Sequence, residues 1–274
     1  MGNVGQSVTG SLSAHNLRIE SVGFPQNTFR DEPGYRRELL KAVAACHPRM
    51  IMPVGSTLAL ARLRPELPAG ILLPVGDAVT VALLESKVSS SLLAKECGIA
   101  QPRMYDTPQD VGNYPVIFKR DKSFGGSGVY RPRSREALEK LVAQEQGGKY
   151  LIEDFVEGCD YSVDAVRWNG MFRAACYRSL ANRGQGPSTE RETVDCPELC
   201  RIAGKILEYA GYNGVCGIDF RMDRSGQAFF LECNPRFTGG IGTQISSGFD
   251  IPYLLWKAAT DSDSVHVTST YSVS

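Results

Sequence analysis

The stretch Gly217 to Arg236, GIDFRMDRSGQAFFLECNPR, leaves this chain few folds to choose from. Two apolar-rich runs, GIDFRM and AFFLECN, flank the turn-forming DRSG, which is the pattern of two strands joined by a tight turn. Acidic and amide side chains interrupt those runs. A turn centred on Ser225 and Gly226 sets Asp219 opposite Glu232, and Asn234, two residues on, projects from the same face as Glu232. Three oxygen-bearing side chains then converge on one side of a hairpin, the arrangement that holds hard cations such as magnesium. The competing reading is a solvated polar face, which two-stranded hairpins often carry, so the rest of the chain has to decide.

Composition narrows the classes. A chain of 274 residues can bury one large core or two modest ones. Thirty basic and thirty acidic residues cancel, so no overall field favours nucleic acid or an anionic membrane, and any polyanion must be caught locally. Eight cysteines are scattered without a C-x-x-C pair, which argues against a structural zinc site or a redox motif. Cys196 and Cys200 lie four apart with no matching pair, and reduced thiols in a cytosolic protein are expected. No apolar run is long enough to span a bilayer, and the first residues lack the order of a secretory signal, so a soluble cytoplasmic protein is expected. His15, His47 and His266 sit in unpatterned surroundings and read as structural.

Residues 1–16, rich in Gly, Ser, Asn and Thr, read as a poorly ordered terminus. From Leu17, LRIESVGF, RMIMPVG and AGILLPVG read as strands alternating with the helices EPGYRRELLKAVAAC and STLALARL, a small parallel sheet with helical crossovers. After Asp77 a single long helix, VTVALLESKVSSSLLAKECG, is expected to end at Gly98. YPVIFKRD is a strand, SREALEKLVAQEQGG a helix capped by Ser134, and KYLIEDFVEG, CDYSVDAVRWNG and MFRAACYRSLAN are antiparallel strands with Asn169-Gly170 as a hairpin turn. Residues 183–195 show no apolar pattern and read as a mobile loop. CPELCRIAGKILEYAGY is a helix feeding the opening hairpin, and IPYLLWKAA is the last helix before a frayed tail.

Two further signals carry chemistry. KRDKSFGGSGV sets Lys119 on a strand ahead of a loop with three glycines, whose freed N–H groups suit phosphate oxygens. It matches neither the Walker loop nor the dinucleotide fingerprint. Glu153 and Asp160 bracket LIEDFVEGCD, where a strand end can offer backbone groups to a base and a carboxylate can accept from ribose hydroxyls.

The order of a lysine, a glycine loop, paired carboxylates and then D-x12-E-x-N-P-R resembles the ATP-grasp superfamily of carboxylate ligases, with NPRFTGG most similar to its carbamoyl-phosphate-synthetase-like branch. The resemblance implies an α+β ATP-grasp fold over 80–258, two subdomains gripping ATP: a small lid, 80–150, and an antiparallel-sheet subdomain, 151–258. It is preceded by a shortened α/β region over 17–79 and followed by a flexible tail over 259–274. It further implies Lys87 and Lys119 on the ATP phosphates under a loop of Phe124, Gly125, Gly126, Ser127 and Gly128. Glu153, Asp154, Phe155 and Val156 would line adenine, and Asp160, with Glu157 as fallback, would hold the ribose. Asp219, Glu232 and Asn234 would bind two magnesium ions, for which manganese can substitute, while Arg236 and Arg178 would steady the transferring phosphoryl group. The implied activity is ATP-dependent joining of a small carboxylate, activated as an acyl phosphate, to an amine. No nucleic acid or membrane takes part, and a homodimer or partner chain could complete the substrate wall. The competing functions are a non-catalytic nucleotide-binding or assembly module and a phosphotransferase.

Overall fold

The computed structural model describes residues 4–20, 32–123, 125–182 and 188–260. Its first element corrects the expected poorly ordered terminus, because Val4–Ala14 is a helix, α1. Only Val4, Val8 and Leu12 are large and apolar there, but their spacing of four puts them on one face, and Val8 and Leu12 are buried against the chain's last helices. Composition hid this helix; periodicity carries it.

The region over 17–79 holds helices α2 (Glu32–Cys46) and α3 (Thr57–Leu63), as expected. The expected parallel sheet reduces, among the described residues, to a single parallel bridge between Met50 and Leu72. Pro53, Pro68 and Pro74 remove ladder donors beside that bridge, which stops the strands from extending. Leu17 to Glu20 are not in a strand, and the rest of that predicted strand, with the tail beyond Thr260, lies outside the described residues.

The predicted long helix is two. Helix α4 (Ala78–Glu85) is capped by Asp77, whose carboxylate accepts from the Val79 and Thr80 N–H groups. Helix α5 (Lys87–Glu96) restarts after Ser86, which takes an extended backbone and caps it through the Ser89 N–H. A serine in SKVSSS offers the backbone this alternative to helix, and so Lys87 becomes the first residue of a new helix.

Two antiparallel sheets follow. The four-stranded one contains β1 (Met104–Tyr105), β2 (Val116–Arg120), β3 (Val129–Tyr130) and β4 (Tyr150–Asp154) in the order β1-β4-β2-β3. Helix α6 (Arg135–Gln144) packs Leu138 onto Val116, Phe118 and Ile152. The five-stranded sheet contains β5 (Gly158–Trp168), β6 (Met171–Asn182), β7 (Ser188–Val194), β8 (Gly214–Asp223) and β9 (Ala228–Asn234) in the order β7-β6-β5-β8-β9, with helix α7 (Pro197–Tyr209) preceding β8. Asn169 and Gly170 both have positive φ and turn β5 into β6, as Asn-Gly predicts. The expected loop over 183–195 is corrected from Ser188 onward: STERETV is an edge strand, charged as exposed edges tend to be. Residues 183–187 lie outside the described set.

Alternation along β5, β6 and β8 gives this sheet two unlike faces. One carries Val163, Cys176, Ile218 and Phe220 into a core with α3, α4, α5 and α7. On the other, Val166, Ala175, Tyr177 and Val215 pack beneath α1, α8 (Ile241–Ser246) and α9 (Ile251–Thr260). The remainder of that face bears Asp160, Ser162, Asp219 and Glu232. No helix among the described residues is long and apolar enough to cross a membrane.

Candidate functional site

The β8–β9 hairpin sets Asp219 opposite Glu232, as the sequence predicts, though by another route. The turn is a three-residue loop, Arg224 to Gly226, closed by Asp223 N–H donating to the Gln227 carbonyl at 3.0 Å. That loop pairs Phe220 with Phe230, one residue out of the expected register. A β-bulge between Asp219 and Phe220 then leaves Leu231 unpaired and restores the pairing of Asp219 with Glu232. The freed Leu231 carbonyl accepts from Lys119 Nζ at 3.4 Å.

Around this pair the polar groups converge. Asn234 Nδ2 donates to Asp219 Oδ2 at 3.1 Å and to Glu232 Oε1 at 3.3 Å, and Ser162 Oγ donates to Asp219 Oδ1 at 2.6 Å. Arg236 Nη2 donates to Asn234 Oδ1 at 3.0 Å, which places Arg236 in the same cluster. Lys87 Nζ lies 3.1 Å from Glu232 Oε2 and donates to the Ser123 carbonyl at 3.1 Å. The first residue of α5 is held there by Asp121, whose carboxylate accepts from Ser86 Oγ at 2.7 Å and the Val88 N–H at 3.0 Å.

Burial, reinforced by the neighbouring Glu232 carboxylate, pushes the Asp219 carboxyl up to about 7. Burial also acts to raise Glu232, but Lys87 and Lys119 outweigh it and hold that carboxyl below its ordinary value. Two carboxylates thus share one desolvated face, and one is poised to lose a proton when a cation arrives. The donors are hard oxygens and fit magnesium. Among the described residues no group of three or more His, Cys, Asp and Glu side chains is arranged to hold a metal.

On β2 and β4, Lys119 and Glu153 form an ion pair at 2.5 Å with both side chains under a tenth exposed. Burial pushes the Glu153 carboxyl up, with Lys119 pulling it back. In the glycine loop Gly125 and Gly126 take positive φ of 60° and 78°, backbone that other residues rarely adopt. Gly128 is packed against Ser123 and Ser127 is exposed, while Phe124 lies outside the described residues. Asp154 accepts from Tyr105 Oη at 2.7 Å. Arg221 gathers the segment between the sheets: it donates to Asp160 Oδ1 at 2.6 Å and to the Val156 carbonyl at 3.1 Å, with its guanidinium 5.8 Å from the Phe155 ring. Arg131 covers that ring at 3.4 Å. Glu157 is mostly exposed and pairs with Arg224 at the hairpin turn.

Arg178 is not brought to this cluster. Ser162 pairs with both Asp219 and Tyr177, so Tyr177 shares the carboxylate face and the next residue, Arg178, points from the other, where it pairs with Glu192. The arginine that sequence reading missed is Arg191. Opposite Ser179 on β7, it lies on the Asp219 face, and its charge pulls down the carboxyls of both Asp219 and Asp164. A Cβ at Gly240 would lie 2.2 Å from Arg191 Nη1, so glycine there is what admits the guanidinium. Asp164 is also new: buried, accepting from Gln244 Nε2, and pushed up to about 6 by burial. The alternation in TERETV was the available signal for Arg191 once that segment is read as a strand.

A protein-family model described as ATP-grasp in the biosynthetic pathway with Ter operon matches residues 147–274. Biotin carboxylase from Nostoc sp. is 24% identical over 257 residues, 85% of this chain and 54% of that protein. Among solved structures, biotin carboxylase from Campylobacter jejuni in its β,γ-ATP complex is similar with a TM-score of 0.75 at 16% identity, over 93% of this chain and 68% of that one. L-amino acid ligase from Bacillus licheniformis is similar with a TM-score of 0.70 at 16% identity, over 92% and 71%. The chain spans just over half the length of curated relatives such as the Nostoc protein.

Proposed function

We propose that this chain, which has the ATP-grasp fold and resembles an ATP-grasp family over residues 147–274, is an ATP- and magnesium-dependent ligase joining a small carboxylate to an amine. The observation that carries this reading is the half-buried Asp219–Glu232 pair, two facing carboxylates set beside two lysines on the opposing sheet and helix. Lys87 and Lys119 take the nucleotide's phosphates, and the glycine loop from Gly125 to Gly128 covers them. Glu153, Asp154, Phe155 and Val156 form the wall for the base, and Asp160 at the sheet junction takes the ribose.

Asp219, Glu232 and Asn234 would hold magnesium, which would supply neutralisation of phosphate charge. Phosphoryl transfer asks the protein for alignment and charge compensation more than for a nucleophile. A substrate carboxylate attacks the γ-phosphorus, the acyl phosphate forms as ADP leaves, and the amine then displaces phosphate at the acyl carbon. Arg236 and Arg191 steady the anion on the Asp219 face, and Arg191 replaces Arg178 in that role because β6 turns Arg178 away.

The test is ADP release with magnesium and a panel of carboxylates and amines. Condensed product with stoichiometric ADP is expected, and Glu232→Ala should lower that turnover by about a thousandfold or more. Undiminished turnover in Glu232→Ala removes the metal assignment. A stable phosphorylated product without condensation makes the protein a phosphotransferase, and nucleotide binding with no turnover on any pair makes it a binding module.

A further inference from the structure

On the sheet face away from the carboxylates, one strand thiol packs near two thiols from the first turn of a helix. Cys176 on β6 pairs across the ladder with Val194 on β7, and two residues later Cys196 caps α7, with Cys200 in its first turn. The Cys200 N–H donates to the Cys196 carbonyl at 3.3 Å, so both belong to the same turn of helix. Cys176 is buried in the core beneath α7, while Cys196 and Cys200 are half-buried and pack against that core. The Cys196 thiol is a near neighbour of Cys176 and adds to the rise that burial imposes on it. These cysteines are not in a metal-holding arrangement among the described residues, which leaves thiol chemistry as what the cluster can do.

We propose that Cys196 and Cys176 form a peroxide-sensitive dithiol that closes to a disulfide between the cap of α7 and strand β6. Cys196 is the attacking thiol because it is more accessible than Cys176, which is buried. Burial pushes the thiols of Cys176 and Cys200 up, Cys200 to about 11, which keeps them protonated until a neighbour is oxidised. In the first step Cys196 sulfur attacks hydrogen peroxide: an S–O bond forms, the O–O bond breaks, and hydroxide leaves to be protonated to water. In the second, Cys176 sulfur attacks the sulfenic sulfur: an S–S bond forms, the S–O bond breaks, and a second water leaves with the Cys176 proton. Two electrons pass from the thiols to the peroxide. The closed bond brackets residues 177–195, the segment that carries Arg191.

The experiment uses the full chain with the exposed Cys46 and Cys159 changed to serine, so that neither competes for oxidant. After treatment with hydrogen peroxide and alkylation under denaturing conditions, two thiols should be lost, the mass should fall by two hydrogens, and digestion should link the peptides bearing Cys176 and Cys196. Dithiothreitol should reverse all three. Cys196→Ser, at a half-buried position, should slow thiol loss at least about tenfold. Cys176→Ala should leave Cys196 as a sulfenic acid that a dimedone probe captures. A peroxide-treated chain in which both thiols remain alkylatable, or in which Cys196 is linked to Cys200 instead, overturns the assignment.

Discussion

The two sheets each bring carboxylate to the site, buried on one and half-buried on the other, and they compensate its charge differently. On the four-stranded sheet Glu153 is matched by Lys119, both side chains buried and in contact. On the five-stranded sheet Asp219 and Glu232 face each other with Lys87 as their close cation and Lys119 acting from further off. The first region is neutral as it stands. The second crowds a local surplus of carboxylate among Lys87, Arg191 and Arg236, and the raised Asp219 carboxyl is how the fold bears that crowding before a cation binds.

That contrast can be broken most forcefully at Lys119. Lys119→Met strands a buried Glu153 charge and should cost about 3–5 kcal/mol in chemical denaturation, with a further Glu153→Gln change restoring most of the loss. A single variant that unfolds at the wild-type midpoint would show that the ion pair does not set local neutrality.

The surplus on the other sheet should appear in pH dependence. Burial moves the Asp219 carboxyl from its ordinary 3.8 up to about 7 in the folded chain, so the folded state holds the extra proton between those values. Stability should therefore fall as pH rises from about 4 to about 7, by at most about 1.4 kcal/mol per pH unit, and level off above. Glu232 works in the opposite sense: its lowered carboxyl adds stability above its unfolded value that is lost as acid protonates it. Asp219→Asn should flatten the fall between pH 4 and 7, and magnesium alone should raise the melting temperature more at pH 8 than at pH 5. Equal magnesium shifts at both pH values would mean that the pair is not where the cation binds.

The sheet's two faces offer a sharper comparison. Arg191→Ala should reduce turnover about 10–100-fold, in keeping with loss of one charge-assisted contact to a reacting anion, whereas Arg178→Ala should stay within about twofold. The reverse ranking would place the substrate on the wrong face of β6. The smallest effect belongs to Glu157→Ala, whose exposed pairing with Arg224 is worth less than about 0.5 kcal/mol and whose turnover should be unchanged.

What the sequence disclosed follows the same division. The hairpin was legible because apolar runs and polar interruptions alternate there with a clear turn between them. The pairing of Asp219 with Glu232 came out right from a turn placed one half-step off, since the bulge at Leu231 makes up the difference. A bulge leaves no mark in composition. Lys119, Glu153 and Asp160 stood out as residues in or beside ordered motifs, whereas Lys87 and Arg236 entered only through the family resemblance. Arg178 was misplaced and Arg191 overlooked for one reason: face parity on β6 and β7 depends on which residues pair across the sheet, and an edge strand rich in charge does not announce its partner. The break at Ser86 and the helix at Val4–Ala14 were missed because a side-chain cap and a three-residue apolar stripe are weak against their polar surroundings.

The bulge also makes Leu231 a residue that the ladder can count without. A chain from which it was deleted would still pair Phe220 with Phe230 on one side and Asp219 with Glu232 on the other. What it would lack is the carbonyl that reaches across to Lys119. A one-residue deletion could thus uncouple the two sheets at a single backbone oxygen, with every charged side chain kept.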